Sequence, residues 1–173
     1  MRRLPDARLL RVSKATKREI AAWVEGKNLS DSAAATIADL EQDVCVHRYR
    51  LARLHFSHGN QLLRNTAPSY RGAISRYYYS IYNGLRACAY IYHHGDDHEQ
   101  HSDLPKHLPR DFPNVAQWQN ALKDAREIRN RADYDPYPRR HSSFQTDAMQ
   151  LSSNASGALP LVKSYLQSKG CHL

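Results

Sequence analysis

Residues 70–93, YRGAISRYYYSIYNGLRACAYIYH, decide the fold. Ile74, Tyr78, Ile81, Leu85, Cys88 and Tyr92 recur at steps of three and four, the period of one helical face. Beside them Ala73, Ser80, Gly84 and Ala87 make a stripe of small residues, which lets a second helix approach closely. The stretch therefore predicts a helix from about Ser69 to His93, packed against others. Five of the chain's eleven tyrosines fall between 70 and 82. Consecutive Tyr77, Tyr78 and Tyr79 point about 100° apart, so they cannot all face one core. At least one is expected at a second surface, such as a dimer interface or a ligand groove. Arg76 stands among them and, if buried, requires a carboxylate, because an unpaired interior guanidinium is costly.

Working outward, a long helix is expected before this one, capped by Ser30 or Ser32. Its apolar positions are Ile37, Leu40, Val44, His47, Leu51, Leu54, His58 and Leu62, and Pro68 stops it near Asn65. After a loop over roughly 94–113, Asn114 caps a third helix carrying Val115, Trp118, Leu122, Ala125 and Ile128, ending near Ala132. Asp133-Tyr134-Asp135-Pro136-Tyr137-Pro138 reads as a rigid extended turn. A last helix from about Ser143 to Ser168 carries Met149, Leu151, Ala155, Leu159, Val162 and Leu166, with Gly157 a weak point and Pro160 an expected kink. No period-2 alternation is sustained between turn residues, so strands are not expected. The reading is an all-α, antiparallel up-and-down bundle of four main helices plus an N-terminal one.

That N-terminal helix is signalled by Thr16-Lys17-Arg18-Glu19, which has capping-box form, and is expected to end near Gly26. Residues 1–30 hold eight cations and three anions. They read as a basic arm over 1–29, with the bundle domain over 30–173.

The 173 residues suit one domain, and the chain carries 25 Lys+Arg against 17 Asp+Glu, a net charge of +8. Eighteen of the cations are arginines, the better residue for bidentate phosphate contact. The charge supports an anionic partner, nucleic acid first. No apolar run approaches the ~20 residues that span a bilayer, and the N-terminus lacks the apolar core of a signal peptide. Cys45, Cys88 and Cys171 have no metal-ligand spacing and cannot all pair, which fits a reducing, cytoplasmic setting.

A second dense feature is Arg126-Glu127-Ile128-Arg129-Asn130-Arg131-Ala132-Asp133-Tyr134. Arg126, Arg129 and Asp133 are spaced by three and four and share a face with the amide of Asn130. Two arginines, an amide and a carboxylate make a polar face; the alternative is a solvated, salt-bridged helix end.

Together, Tyr70-Arg71-x-Ala73-Ile74-Ser75-Arg76-x-Tyr78-Tyr79 and Arg126-x-x-Arg129-Asn130-x-Ala132-Asp133-Tyr134, about fifty residues apart, resemble the HEPN superfamily. The similarity is to its small prokaryotic branch and covers roughly residues 35–170. It implies an antiparallel helical bundle acting as a homodimer. Many relatives are metal-independent endoribonucleases, or toxins paired with a nucleotidyltransferase antitoxin in toxin–antitoxin and defence systems. In ribonuclease-active relatives two Arg-x(4–6)-His motifs meet across the dimer, where Arg stabilises phosphate charge and His moves a proton. Here no His follows at that spacing: Arg126 is followed by Arg131, Ala132 and Asp133, and Arg129 by Tyr134, Asp135 and Pro136. Asp133 or Tyr134 stands in its place. On this reading Arg129, Asn130, Asp133 and Tyr134 are the catalytic candidates, and Arg126, Arg131 and Arg76 contact RNA. Tyr134 is also a conceivable acceptor of a transferred nucleotide. The alternative is a non-catalytic adaptor in which Asp133 ties up Arg76 and Arg129.

Arg-x(4–6)-His spacing also occurs at Arg48 or Arg50 with His55, Arg53 with His58, and Arg86 with His93, away from the site the resemblance implies. The run from His93 to Asp103 offers His94, His98, His101, Asp97 and Asp103 as possible metal ligands. They share one loop with no second cluster, so a surface loop with local capping is expected, and no metal. No phosphate-binding glycine loop or Gly-x-Ser-x-Gly is present, so no nucleotide or flavin cofactor is expected.

Overall fold

A computed structural model describes residues 5–95, 98 and 100–173. It contains six helices and, among the described residues, no strand: α1 (Asp6–Ser13), α2 (Lys17–Ala33), α3 (Ile37–Arg64), α4 (Tyr70–His93), α5 (Val115–Tyr134) and α6 (Gln145–Ser168). Short 3-10 turns occupy Leu104–His107 and His141–Phe144. The chain is an all-α helical bundle. Among the described residues, no helix is long and apolar enough to cross a membrane. The chain divides into two compact units, Met1–Leu40 and Glu41–Leu173.

In the first unit, Thr16 and Glu19 cap α2 reciprocally, as their spacing predicts: the Glu19 N–H donates to Thr16 Oγ1, and the Thr16 N–H to the Glu19 carboxylate at 2.7 Å. The helix does not stop near Gly26. It runs on to Ala33, because one interior glycine costs only about 1 kcal/mol and Lys27 pairs with Asp31 in the next turn. The cap before α3 is neither Ser30 nor Ser32, whose hydroxyls donate to the Ala35 and Asn28 carbonyls. Thr36 and Asp39 form a second reciprocal cap there. No residue of α2 is buried, so this unit has little apolar core of its own.

The second unit is built around α4, which is buried along almost its whole length. Every member of its predicted apolar and small-residue stripes is buried except Tyr92, which is half-buried. Tyr77 and Tyr78 are both fully buried and only Tyr79 reaches partly to solvent. Neighbouring elements pack on several sides of this helix, and two tight contacts fall at glycines. A methyl group on Gly84 would lie 3.3 Å from Val162 of α6, and one on Gly59 of α3 would lie 2.7 Å from the Tyr77 ring.

Most of the face of α3 expected to be core is not, although Leu62 of that stripe packs against the core. Val44, Leu51 and Leu54 are 36%, 41% and 49% exposed. The buried seam is instead Cys45, Tyr49, Ala52 and Gly59, with Phe56 and Leu63 packed against it, also at steps of four and three. At Gly59 the fit is steric: the Tyr77 ring of α4 lies so close that no larger side chain has room there. Arg76 is exposed, with Nη1 3.5 Å from His55 Nδ1, and needs no buried carboxylate.

The 94–113 connection is anchored by buried Leu104, Leu108 and Phe112. Asn114 precedes α5 with φ 54 and caps it without a side-chain bond, and the helix continues past Ala132 to Tyr134. α6 runs unbroken through Gly157 and Pro160. Pro160 and Ser156, whose carbonyl loses its partner to the proline, are both exposed, so water can satisfy that oxygen.

Candidate functional site

The expected polar face of α5 separates into two. Arg129 turns inward and is 6% exposed. Its guanidinium carbon lies 5.0 Å from the centre of Tyr78, 5.6 Å from Tyr79 and 5.7 Å from Tyr134. Nη1 donates to the Tyr134 hydroxyl at 3.2 Å and lies 3.7 Å from Asp133, which also accepts from Ser75 Oγ at 3.4 Å. Burial works against the charge on Arg129, but the surrounding Tyr79 and Tyr78 favour it and the balance holds its pKa above the ordinary value. Three aromatic faces and a carboxylate are what make a buried guanidinium tolerable here.

Arg126 and Asn130 lie on the other face. With Lys123 and Glu127 they form an i, i+3, i+4, i+7 set lining a groove of about 400 Å³, closed by His101, Ser102 and Pro105. His101 is packed against the rings of Tyr82, Tyr78 and Tyr79 at 4.3, 5.6 and 6.1 Å, and its Nδ1 is 2.5 Å from the Tyr78 hydroxyl. The Tyr78 hydroxyl and His101 Nδ1 share this hydrogen bond, its direction set by the imidazole tautomer. Burial lowers the His101 pKa, and the nearby Arg129, Arg126 and Arg86 lower it further, so the ring is neutral at pH 7. Burial pushes Tyr78 up to about 12, against the opposing pull of the Arg129 charge. The groove thus presents a lysine, an arginine, an amide, a hydroxyl and an imidazole against the single carboxylate of Glu127, a donor-rich receptor for an anion.

The remaining candidates are dispersed. Arg131 is exposed and paired with Asp147 of α6. Arg76 sits on α4 beside His55, whose pKa is lowered by burial and then by the charges of Arg76 and His58. Asp133 engages Arg129 and Ser75 but not Arg76. Tyr134 is 73% exposed. The turn after it is held by a residue without an assigned role, Arg71. Its guanidinium donates to the carbonyls of Ala132, Asp135 and Pro138 at 2.7, 2.8 and 3.0 Å and lies 4.1 Å over the Phe144 ring.

The histidines of the 93–103 run diverge. His94 bonds Glu41 at 3.3 Å, His98 stacks on His107 at 3.8 Å, and His101 joins the Tyr78 cluster. Asp97, also in that run, lies outside the described residues. Among the described residues, no group of three His, Cys, Asp or Glu is placed to hold a metal ion.

Of the groove residues sequence reasoning missed, Lys123 had a readable signal, being three residues before Arg126 and seven before Asn130. His101 had none, since only the folded 94–113 connection brings it to α5. No protein family, curated protein or solved structure matches the chain.

Proposed function

We propose that this chain is a HEPN-type module that binds RNA through the phosphates, at the groove lined by Lys123, Arg126, Asn130 and His101. The observation that carries the reading is the concentration of anion-binding donors in one groove beside a buried arginine. Arg126 takes the phosphate-contacting role and Arg129 supports the wall behind it, so Arg129, Asp133 and Tyr134 act through positioning. His101 offers the imidazole that the α5 motif lacks, brought from another segment. The exposed Val44, Leu51 and Leu54 on α3 support a homodimer. A nucleotidyltransferase antitoxin is the protein partner that the motif resemblance favours, within a toxin–antitoxin or defence system. The free, buried cysteines suit a cytoplasmic setting.

The test is fluorescence polarisation with labelled single-stranded RNA at 50 and 200 mM salt. Arg126→Ala is expected to weaken binding about tenfold and to lower the salt slope by about one counterion, with unchanged melting. Wild-type affinity in a Lys123→Ala/Arg126→Ala double variant sinks the reading. RNA cleavage in EDTA that His101→Ala abolishes makes the module a metal-independent endoribonuclease; binding without cleavage makes it a non-catalytic one.

A further inference from the structure

We propose that the turn after α5 is a base-stacking platform, which makes unpaired RNA the strand bound at the groove. The inference rests on the RNA-binding reading. The turn presents Tyr134, 73% exposed, and Tyr137, 62% exposed, so neither ring contributes much to the core. Yet the main chain between them is held firmly. Arg71 commits donors to the carbonyls of Ala132, Asp135 and Pro138, before, between and after the two rings, and its guanidinium is itself pinned over buried Phe144. Ordering a solvent-facing turn costs conformational entropy, and here the restraint fixes exposed aromatic rings.

Charge completes the arrangement. Arg139 lies 5.4 Å over the Tyr137 ring, with Nη2 3.4 Å from its hydroxyl, and exposed Arg140 follows. An aromatic face with a guanidinium beside it matches a nucleotide, the ring taking the base and the cation the phosphate. Asp133, in the last turn of α5, is met by Arg129, and exposed Asp135 on the turn stands against the two cations Arg139 and Arg140. Tyr134 lies one helical turn beyond Asn130 of the groove, about 6 Å along the α5 axis. A strand with phosphates in the groove therefore has its next bases at the turn. Bases paired in a duplex present no free face, so the platform selects single strands.

The experiment compares three labelled ten-nucleotide ligands of equal charge per strand: oligoadenylate, the same strand in a duplex, and an abasic strand. Tyr137→Ala is expected to weaken oligoadenylate binding about fivefold or more, while Tyr137→Phe binds as wild type. Neither is expected to change abasic binding, which Arg126→Ala weakens. Arg71→Ala is expected to lose the preference for bases over abasic sites while keeping abasic affinity. Equal oligoadenylate binding by Tyr137→Ala and wild type overturns the platform and leaves the groove reading intact, as does equal loss on the abasic strand. If the wild-type protein binds none of the three, both readings fall.

Discussion

Arg129 and Arg126 are three residues apart on α5 and behave as opposites. Arg129 is enclosed by Tyr78, Tyr79 and Tyr134, whereas Arg126 lines an open groove. Arg129→Ala should therefore cost about 3 kcal/mol, because it opens a cavity and strands polar partners. Arg126→Ala should leave stability within about 0.5 kcal/mol; urea denaturation of the two variants measures the contrast. The histidines make a second prediction at this scale. His101 and His55 are held below the ordinary imidazole value by burial, then by neighbouring arginine charge. The unfolded chain takes up protons near pH 6.5 where the folded chain does not. Stability is thus fully present above that pH and is lost as pH falls toward the lower folded values. His101→Gln should flatten the decline in unfolding free energy between pH 7.5 and 5.5, and an unchanged slope would refute it.

At the scale of the element, α4 was legible and α3 was only half so. The boundaries of α4 follow from Pro68 and from the end of its apolar period, and both of its stripes are buried as their spacing predicts. α3 carries two stripes of helical period, and the buried one is that of Cys45, Tyr49, Ala52, Phe56 and Gly59, not that of Val44, Leu51 and Leu54. Periodicity identifies a face but not its neighbour, and the neighbour decides which stripe is covered. Two glycine substitutions test this. Alanine is better than glycine in a helix by about 1 kcal/mol, so Gly157→Ala, with Trp118 no nearer than 4.0 Å, should stabilise by up to that amount. Gly59→Ala should instead destabilise by about 1–3 kcal/mol, because its methyl group would meet the Tyr77 ring at 2.7 Å. Thermal melting of both variants reads the opposite signs.

At the scale of the whole molecule, apolar burial is distributed unevenly between the two units. Leu85, Leu122, Leu151 and Leu166 are almost fully buried in the second, each contributing about 1.5–3 kcal/mol. In the first, Leu10, Val24 and Leu29 are more than half exposed. Helices of this length are marginal without packing, so trypsin should cut at Lys14, Lys17 or Arg18 before it degrades the bundle. Disappearance of both units together would contradict that order. The sequence by itself determined the helical class, most helix boundaries, the capping box at Thr16 and the polar character of residues 126–134, because these depend on neighbours within a few residues. Only the tertiary structure decided which stripe of α3 is buried, that Arg129 faces inward while Arg126 faces the groove, and that His101 and Arg71 join the site. Each of those depends on residues far apart in the chain, and spacing along one helix carries no record of what packs against it.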